Sequence, residues 1–513
     1  MLQSLRCVPA NAIITGWDFS TSGVKCLAFD INGATIADVR LPTDLWTKGG
    51  VSELNLLQLE GQARGSTRGI ADALRRQGRL ADWIAGGISA THHTSGRIDA
   101  QRNQVRRAIC WNDQSLAKYH AIGLKRLGGQ KRVRELIGGP WAIRYSLSHL
   151  VKDERKLANT DWQRTARILS HGSLAAGYLT GNFDVTSISC AASTGLMDFR
   201  SCQWCQPMLD AIDCPDFREL AWQHLPNIID QFEPIGPVQA SLVQEAGLAS
   251  APMIFPTSDD QQAGLIGGGA VDAGQMAVIL GTSAVVNSSS AQLPETNDLD
   301  VMRLNWGPYL WMRCYTNGAG FLNKIVGDAP DWAALESAAR NVPPGCGKTM
   351  VAPFLAAEPS IGVNKPFFRW APKQPKDDGV RFRAALEALA YLIALGVQQH
   401  KASGQTITRI TVSGGIAKSA LMCEILASVL DQPLELLVSD EGPALGAAVT
   451  ALAAMENHLR KQRGESADYS VADAVAQMVK FRGSVAPNPE WTATYAKGLR
   501  KFAKFVGVGK KGK

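Results

Sequence analysis

The stretch "MIFPTSDDQQAGLIGGGA" (253–270) ends an apolar run in Ser258-Asp259-Asp260-Gln261. Ser258 and Gln261 stand at capping-box spacing, which predicts a helix starting here with Asp260 in its first turn. Unpaired N–H groups and the helix dipole favour an ionised carboxylate at that place, and an ionised, positioned carboxylate can accept a hydroxyl proton. Spacing alone does not separate that role from the simpler one, in which Asp259 and Asp260 are merely favourable first-turn residues.

A second carboxylate, Asp18, lies in "AIITGWDFSTSGVKCLAFD" (12–30), which reads strand, tight polar turn, strand. The turn holds Thr21 and Ser22, with Lys25 just beyond, and the pattern recurs in "QMAVILGTSAVVNSS" (275–289) around Thr282 and Ser283. Small hydroxyl residues and glycine let backbone N–H groups close on an anion and add donors of their own, so the pair reads as two phosphate-facing hairpins. A carboxylate beside a phosphate is repulsive unless a cation intervenes, which points to magnesium at Asp18. In "ITVSGGIAKSALMCEILASVL" (410–430), a strand turns through Gly414-Gly415 into a helix marked by Leu421, Ile425 and Val429. The two glycines leave no side chain between the backbone and a flat ligand. Farther on, Gly446, Ala447 and Ala448 in "SDEGPALGAAVTALAA" (439–454) suit close packing.

In the first half, "GGISATHHTSGRI" (86–98) and "RRAICWNDQS" (106–115) put His92, His93, Trp111, Asn112 and Asp113 after apolar strands, as candidates to line a polyhydroxylated ligand. One attractive motif fails. "VPPGCGKT" (342–349) imitates a phosphate-gripping loop around Lys348, but the first glycine position is Val342 and the segment before it, "DWAALESAARN", has helical rather than strand spacing.

These elements alternate short β-rich runs with amphipathic helices, an α/β pattern. At 513 residues the chain exceeds a single core, and the recurrence of the hairpin suggests a division near residue 266. With 45% hydrophobic and 19% charged residues it has a globular composition without a bilayer-spanning run. A net charge of +7, interspersed except in the tail "GLRKFAKFVGVGKKGK", argues against nucleic acid as a partner; the tail reads as a terminal amphipathic helix. The ten cysteines lack framework or zinc spacing, Cys202, Cys205 and Cys214 included, and read as reduced thiols. With no secretory or transit pattern at the start, the expected compartment is the cytoplasm. A homodimer is left open.

In their order along the chain, "GWDFSTSGVK", "GISATHHT", "AICWNDQ", "LTGNFDVTSISCAASTGLMD", "SDDQQAG", "LGTSAVV", "SGGIAKS" and "EGPALGAA" resemble the FGGY carbohydrate kinases, the xylulokinase branch most of all. The resemblance implies two actin- and hexokinase-like ATPase domains with ribonuclease H-like cores and an interdomain cleft. Residues 1–266 would form the sugar-binding domain, and 267–513 the ATP-binding domain with its basic helical tail. By matching positions, Asp260 is the implied catalytic base. Thr21, Ser22, Lys25, Thr282, Ser283, Gly414 and Gly415 are the implied contacts to ATP, and Asp18 is the implied magnesium residue. His92, His93, Arg144 and Gln261 fall on the sugar side. The implied reaction is ATP-dependent phosphorylation of a small sugar, D-xylulose first, with ribulose, gluconate or erythritol kinases and a silent sugar sensor as alternatives.

The sequence also departs from the family pattern. Ser20 stands where glycine is frequent, His92 where methionine or glutamine is common, and Asp259 where glycine is usual. Ser187 and Cys190 replace aspartates.

Overall fold

The computed structural model describes residues 6–508 apart from Asn297 and Asp328. Two mixed sheets dominate it. In the first, the strands run across the sheet in the order Met253–Ile254, Trp83–Ala90, Ile13–Phe19, Gly23–Asp30, Thr35–Pro42. Ile13–Phe19 is antiparallel to its hairpin partner Gly23–Asp30 and parallel to Trp83–Ala90. The second sheet repeats this arrangement as Leu434–Leu437, Arg409–Ser413, Gln275–Leu280, Ala284–Ser290, Tyr309–Tyr315. Its strand Gln275–Leu280 is again antiparallel to the next strand and parallel to the one after a long crossover. The two Thr-Ser turns are thus equivalent points of a repeated topology. Every residue of Ile13–Phe19 is buried, as an apolar run must be when helices cover both faces of its sheet.

Helix Leu56–Arg76 packs against the first sheet. So does Gly442–Gln462, which comes from the far end of the chain and packs on Ile13–Phe19, Trp83–Ala90 and helix Asp260–Gly267. Its Leu445, Ala448 and Leu452 join Ile14, Leu27 and Phe29 in one core, so a late helix completes the early sheet. Glycine makes this possible. A Cβ on Gly16 would lie 1.8 Å from the Ala444 carbonyl oxygen, and one on Gly446 would lie 1.9 Å from that of Ala263. Gly16 and Gly446 are therefore required by backbone-to-backbone approach.

The second sheet is covered by helix Asp378–Ala402, whose Leu389 and Ile393 share a core with Val278, Val286 and Ile425. The terminal helix, Pro489–Val506, buries Tyr495, Leu499, Phe502 and Val506 on one face and leaves Lys497, Arg500, Lys501 and Lys504 exposed. Residues 509–513 of the basic tail lie outside the described residues. Lys348 sits exposed on the short turn Cys346–Lys348, after helix Trp332–Arg340 and ahead of strand Met350–Phe354. No strand feeds it, as the failed motif requires. Among the described residues no helix is long and apolar enough to cross a membrane, and all ten cysteines are free.

Candidate active site

Parallel register brings the first group of polar residues together. Asp18 pairs with Ser89 across neighbouring strands, and the two-residue strand Ser258–Asp259 pairs with Ser89 and Ala90 from the other side. The ends of three strands therefore meet at one edge, the place where α/β sheets expose ligand-binding loops. Asp18 accepts a 3.2 Å hydrogen bond from Ser89 Oγ. Burial raises its carboxyl to about 6, against the opposing influence of Lys25.

Helix Asp260–Gly267 begins where the sequence predicts, but with a different cap. Asp259, not Ser258, is the N-cap: its Oδ1 accepts from the Gln261 and Gln262 backbone N–H groups at 2.9 and 3.0 Å. Ser258 instead accepts from the Gln262 side chain at 2.7 Å. A carboxylate satisfies two orphan N–H groups at once, which outcompetes the hydroxyl for the capping position. Asp260 becomes the first helical residue, partly exposed, and its Oδ1 accepts from the His92 backbone N–H at 3.3 Å. Burial raises its carboxyl to about 7; His92 opposes the shift, and the neighbouring carboxylates of Asp259 and Asp18 reinforce it. That value suits a base near neutral pH.

The departures at 92 and 259 prove to be neighbours in space. His92 Nδ1 lies 3.0 Å from Asp259 Oδ1, with both side chains nearly fully buried. Asp259 also accepts a hydrogen bond from Ser189. Burial works against ionisation of Asp259, yet His92, Ser189 and the Gln262 N–H together hold it below the ordinary carboxylate range. Ser187 caps the short helix Ile188–Ala192 by accepting from the Cys190 N–H.

His93 has a left-handed backbone, φ 59°, and its Nδ1 donates to the Ser193 carbonyl at 2.7 Å. Its ring stacks on Tyr145 at 4.2 Å. Burial, with the charges of His92 and Arg144, drives its proton affinity well below the usual range, so the imidazole is neutral. This tautomer leaves Nε2 as an acceptor, and that buried atom has no protein partner. A hydroxyl donor from a ligand would satisfy it.

Arg144 is ion-paired with Asp300 of the second half. Gln261 bridges the halves too, donating to Asp260 Oδ1 at 3.4 Å and accepting from Asn287 at 3.2 Å. Asp113 is removed from the candidate ligand set: it is buried and paired with Lys152 at 2.8 Å, a structural tie between a loop and helix Ser146–Lys156. Trp111 and Asn112 are exposed.

The second group surrounds a cavity of about 620 Å³ lined by Gly281, Thr282, Asn323, Trp332, Glu336, Gly415 and Lys418, among others. Strand pairing of Ile279 with Ser413 sends both turns out at the same sheet end. Thr282 and Gly415 face the cavity, whereas Ser283 and Gly414 stand beside it. Gly414 has φ 95°, and a Cβ there would lie 2.4 Å from the Leu280 carbonyl oxygen. Thr21, half-buried, and Ser22, exposed, occupy the first turn, and Lys25 is paired with Glu441 at 2.7 Å. Sequence reasoning missed Trp332 and Glu336, although both fall on a segment it read as helical, one turn apart on the same face.

A doubled sheet with hydroxyl-bearing turns and carboxylates at its strand ends is the arrangement that the resemblance of the sequence implies. Comparison with known proteins narrows the class. The profile of the FGGY family of carbohydrate kinases, N-terminal domain, matches residues 13–267, and that of the C-terminal domain matches residues 276–455. The xylulose kinase of Escherichia coli K12 is 26% identical over 458 residues, covering 84% of this chain and 88% of that one. The solved ligand-bound xylulose kinase from Lactobacillus acidophilus superposes with a TM-score of 0.83 at 19% identity, covering 97% of this chain and 98% of that one. The gluconate kinase from the same organism gives 0.81 at 19% identity with the same coverage. The chain belongs to the FGGY family of carbohydrate kinases, enzymes that transfer a phosphoryl group to a sugar alcohol group.

Proposed function

We propose that this kinase phosphorylates a neutral ketopentose, D-xylulose, to D-xylulose 5-phosphate with ATP as donor. The observation that carries the reading is Asp260: a carboxylate at a helix start, beside the meeting point of three strands, with a proton affinity poised near neutrality. The sugar hydroxyl gives its proton to Asp260 as its oxygen bonds to the γ-phosphorus. The bond from that phosphorus to the bridging oxygen breaks, and ADP leaves. Such a transfer needs alignment and charge neutralisation more than covalent help.

The cavity between Thr282, Gly415 and Trp332 supports a nucleotide site. Its apolar wall suits a base, and its glycine turn allows close backbone approach. The first turn, with Thr21, Ser22 and Lys25, is the second phosphate contact in this reading. Asp18 fits magnesium: its buried oxygen donors match a hard cation, and a nearby cation would offset the burial that raises its proton affinity. Bound there, magnesium would neutralise phosphate charge.

Sugar selection falls to His93, Gln261 and Arg144. Because Asp300 already neutralises Arg144, that guanidinium is a weak anchor for a sugar carboxylate. This favours a neutral substrate over an aldonate. The free cysteines suit a reducing, cytoplasmic setting.

An ATP-coupled ADP-release screen over ketopentoses, polyols and aldonates tests the proposal. D-xylulose should give the highest kcat/KM. A clear preference for gluconate would overturn the choice of sugar, and ADP release that no sugar raises would overturn the proposed transfer.

A further inference from the structure

His92 and Asp259 are each unusual for the family, and the fold puts them in contact. One nitrogen of His92 and one oxygen each of Asp259 and Asp260 lie within 4.8 Å of one another. The two departures thus form a buried pair directly against the candidate base. Each member has a second tie: the His92 backbone N–H donates to Asp260, while Asp259 caps the helix that Asp260 begins and is held by Ser189. We propose that His92 and Asp259 are positioning residues for phosphoryl transfer, a buried contact pair that supports Asp260 and sets the pH at which it can accept the sugar's proton.

The physical argument is one of balance. A lone aspartate at position 259 would face Asp260 across a short, water-poor gap, and each carboxylate would discourage ionisation of the other. His92, in contact with Asp259 and close to Asp260, opposes that penalty. The other charged or titratable groups facing this cluster are Asp18 on the first strand, Arg144 on the segment before helix Ser146–Lys156, Tyr145 and the neutral His93. Of the groups that oppose the upward shift, His92 is the one the fold holds against Asp260, and Arg144 is engaged by Asp300. A purely structural role for the pair, capping a helix and filling space, would leave the pH profile where it is.

The inference rests on Asp260 being the base, and the test separates the two claims. Single-turnover rates with ATP and the preferred sugar are measured from pH 5 to 9 for the wild type, His92→Gln, Asp259→Asn, the double variant and Asp260→Asn. Losing an opposite charge at this range moves a carboxyl by about one pH unit or more. His92→Gln should therefore shift the acid limb upward by about that amount, with much of the rate recovered at pH 9. Adding Asp259→Asn should bring the limb back toward the wild type, since it removes the unopposed anion. Asp259→Asn alone should not raise the limb, and this keeps the proposal testable if His92→Gln fails to fold. A limb that stays in place in His92→Gln, or one that Asp259→Asn alone moves upward, overturns the inference. If Asp260→Asn keeps its rate, the base assignment falls, and this inference with it. If Asp260→Asn is inactive while the His92→Gln limb is unmoved, only the inference falls.

Discussion

Asp260→Asn preserves the shape of the side chain and its acceptor for the His92 N–H, and removes the basic oxygen. Positioned proton transfer contributes on the order of 10² to 10⁴ in rate, or roughly 3 to 5.5 kcal/mol. We expect kcat to fall by about that factor while ATP and sugar still bind, as measured by calorimetric titration. The wild type should lose activity with falling pH through an acid limb near 7, where burial puts the carboxyl; the variant's residual rate should lack that limb. Stability supplies an independent sign. The carboxyl is raised from its ordinary value of 3.8 to about 7, so its contribution to stability is fully present below the unfolded value and is lost as pH rises through the folded one. Asn does not titrate. Asp260→Asn should thus be more stable than the wild type at pH 8, by on the order of 1–3 kcal/mol after allowing for solvent access, and the gap should shrink toward pH 4. A variant that keeps most of its kcat, or one less stable than the wild type at pH 8, would refute the reasoning. Asp259 is no neutral comparison, because its carboxylate is the helix cap and the partner of His92.

Three further outcomes follow from the geometry. Lys348→Ala should leave kcat/KM for ATP within about twofold, as for other exposed substitutions; loss of nucleotide binding with circular dichroism unchanged would restore the rejected loop motif. His93→Ala should raise KM for the sugar about tenfold, the worth of one well-placed hydrogen bond, and leave KM for ATP little changed. An equal rise in both constants would remove His93 from the sugar side. Gly446→Ala drives a Cβ to 1.9 Å from the Ala263 carbonyl oxygen, so helix Gly442–Gln462 must shift off the helix that Asp260 begins. The cost should be at least about 1–3 kcal/mol and a Tm lower by a few degrees, and an unchanged Tm would contradict the close packing.

Local signals in the sequence were enough for the hairpins, the glycine turn and the helix at Asp260, because each depends on residues within a few positions of one another. The repeat of the opening hairpin was legible from the two Thr-Ser turns, but the repeat of the rest of the sheet was not. What stayed hidden was pairing between distant segments. Asp113 looked like a ligand residue until Lys152, 39 positions away, claimed it. Arg144 meets Asp300 across 156 positions, and Lys25 meets Glu441 across 416. No periodicity encodes such partners. The capping error is of another kind: Ser258 and Asp259 are both good N-caps, and only the short strand pairing to Ser89 and Ala90 fixes which residue starts the helix. The His92–Asp259 pair was visible only as two separate oddities.

Phosphorus NMR of the kinase turning over with ATP, magnesium and D-xylulose tests the central claim most directly. The account predicts that the γ-phosphate signal declines as a sugar phosphomonoester resonance grows in equal measure, split by the two protons of a terminal CH₂, with ADP as the only other product. Growth of inorganic phosphate in place of the monoester, or no change in the ATP signals with D-xylulose or any other sugar of the screen, would contradict it.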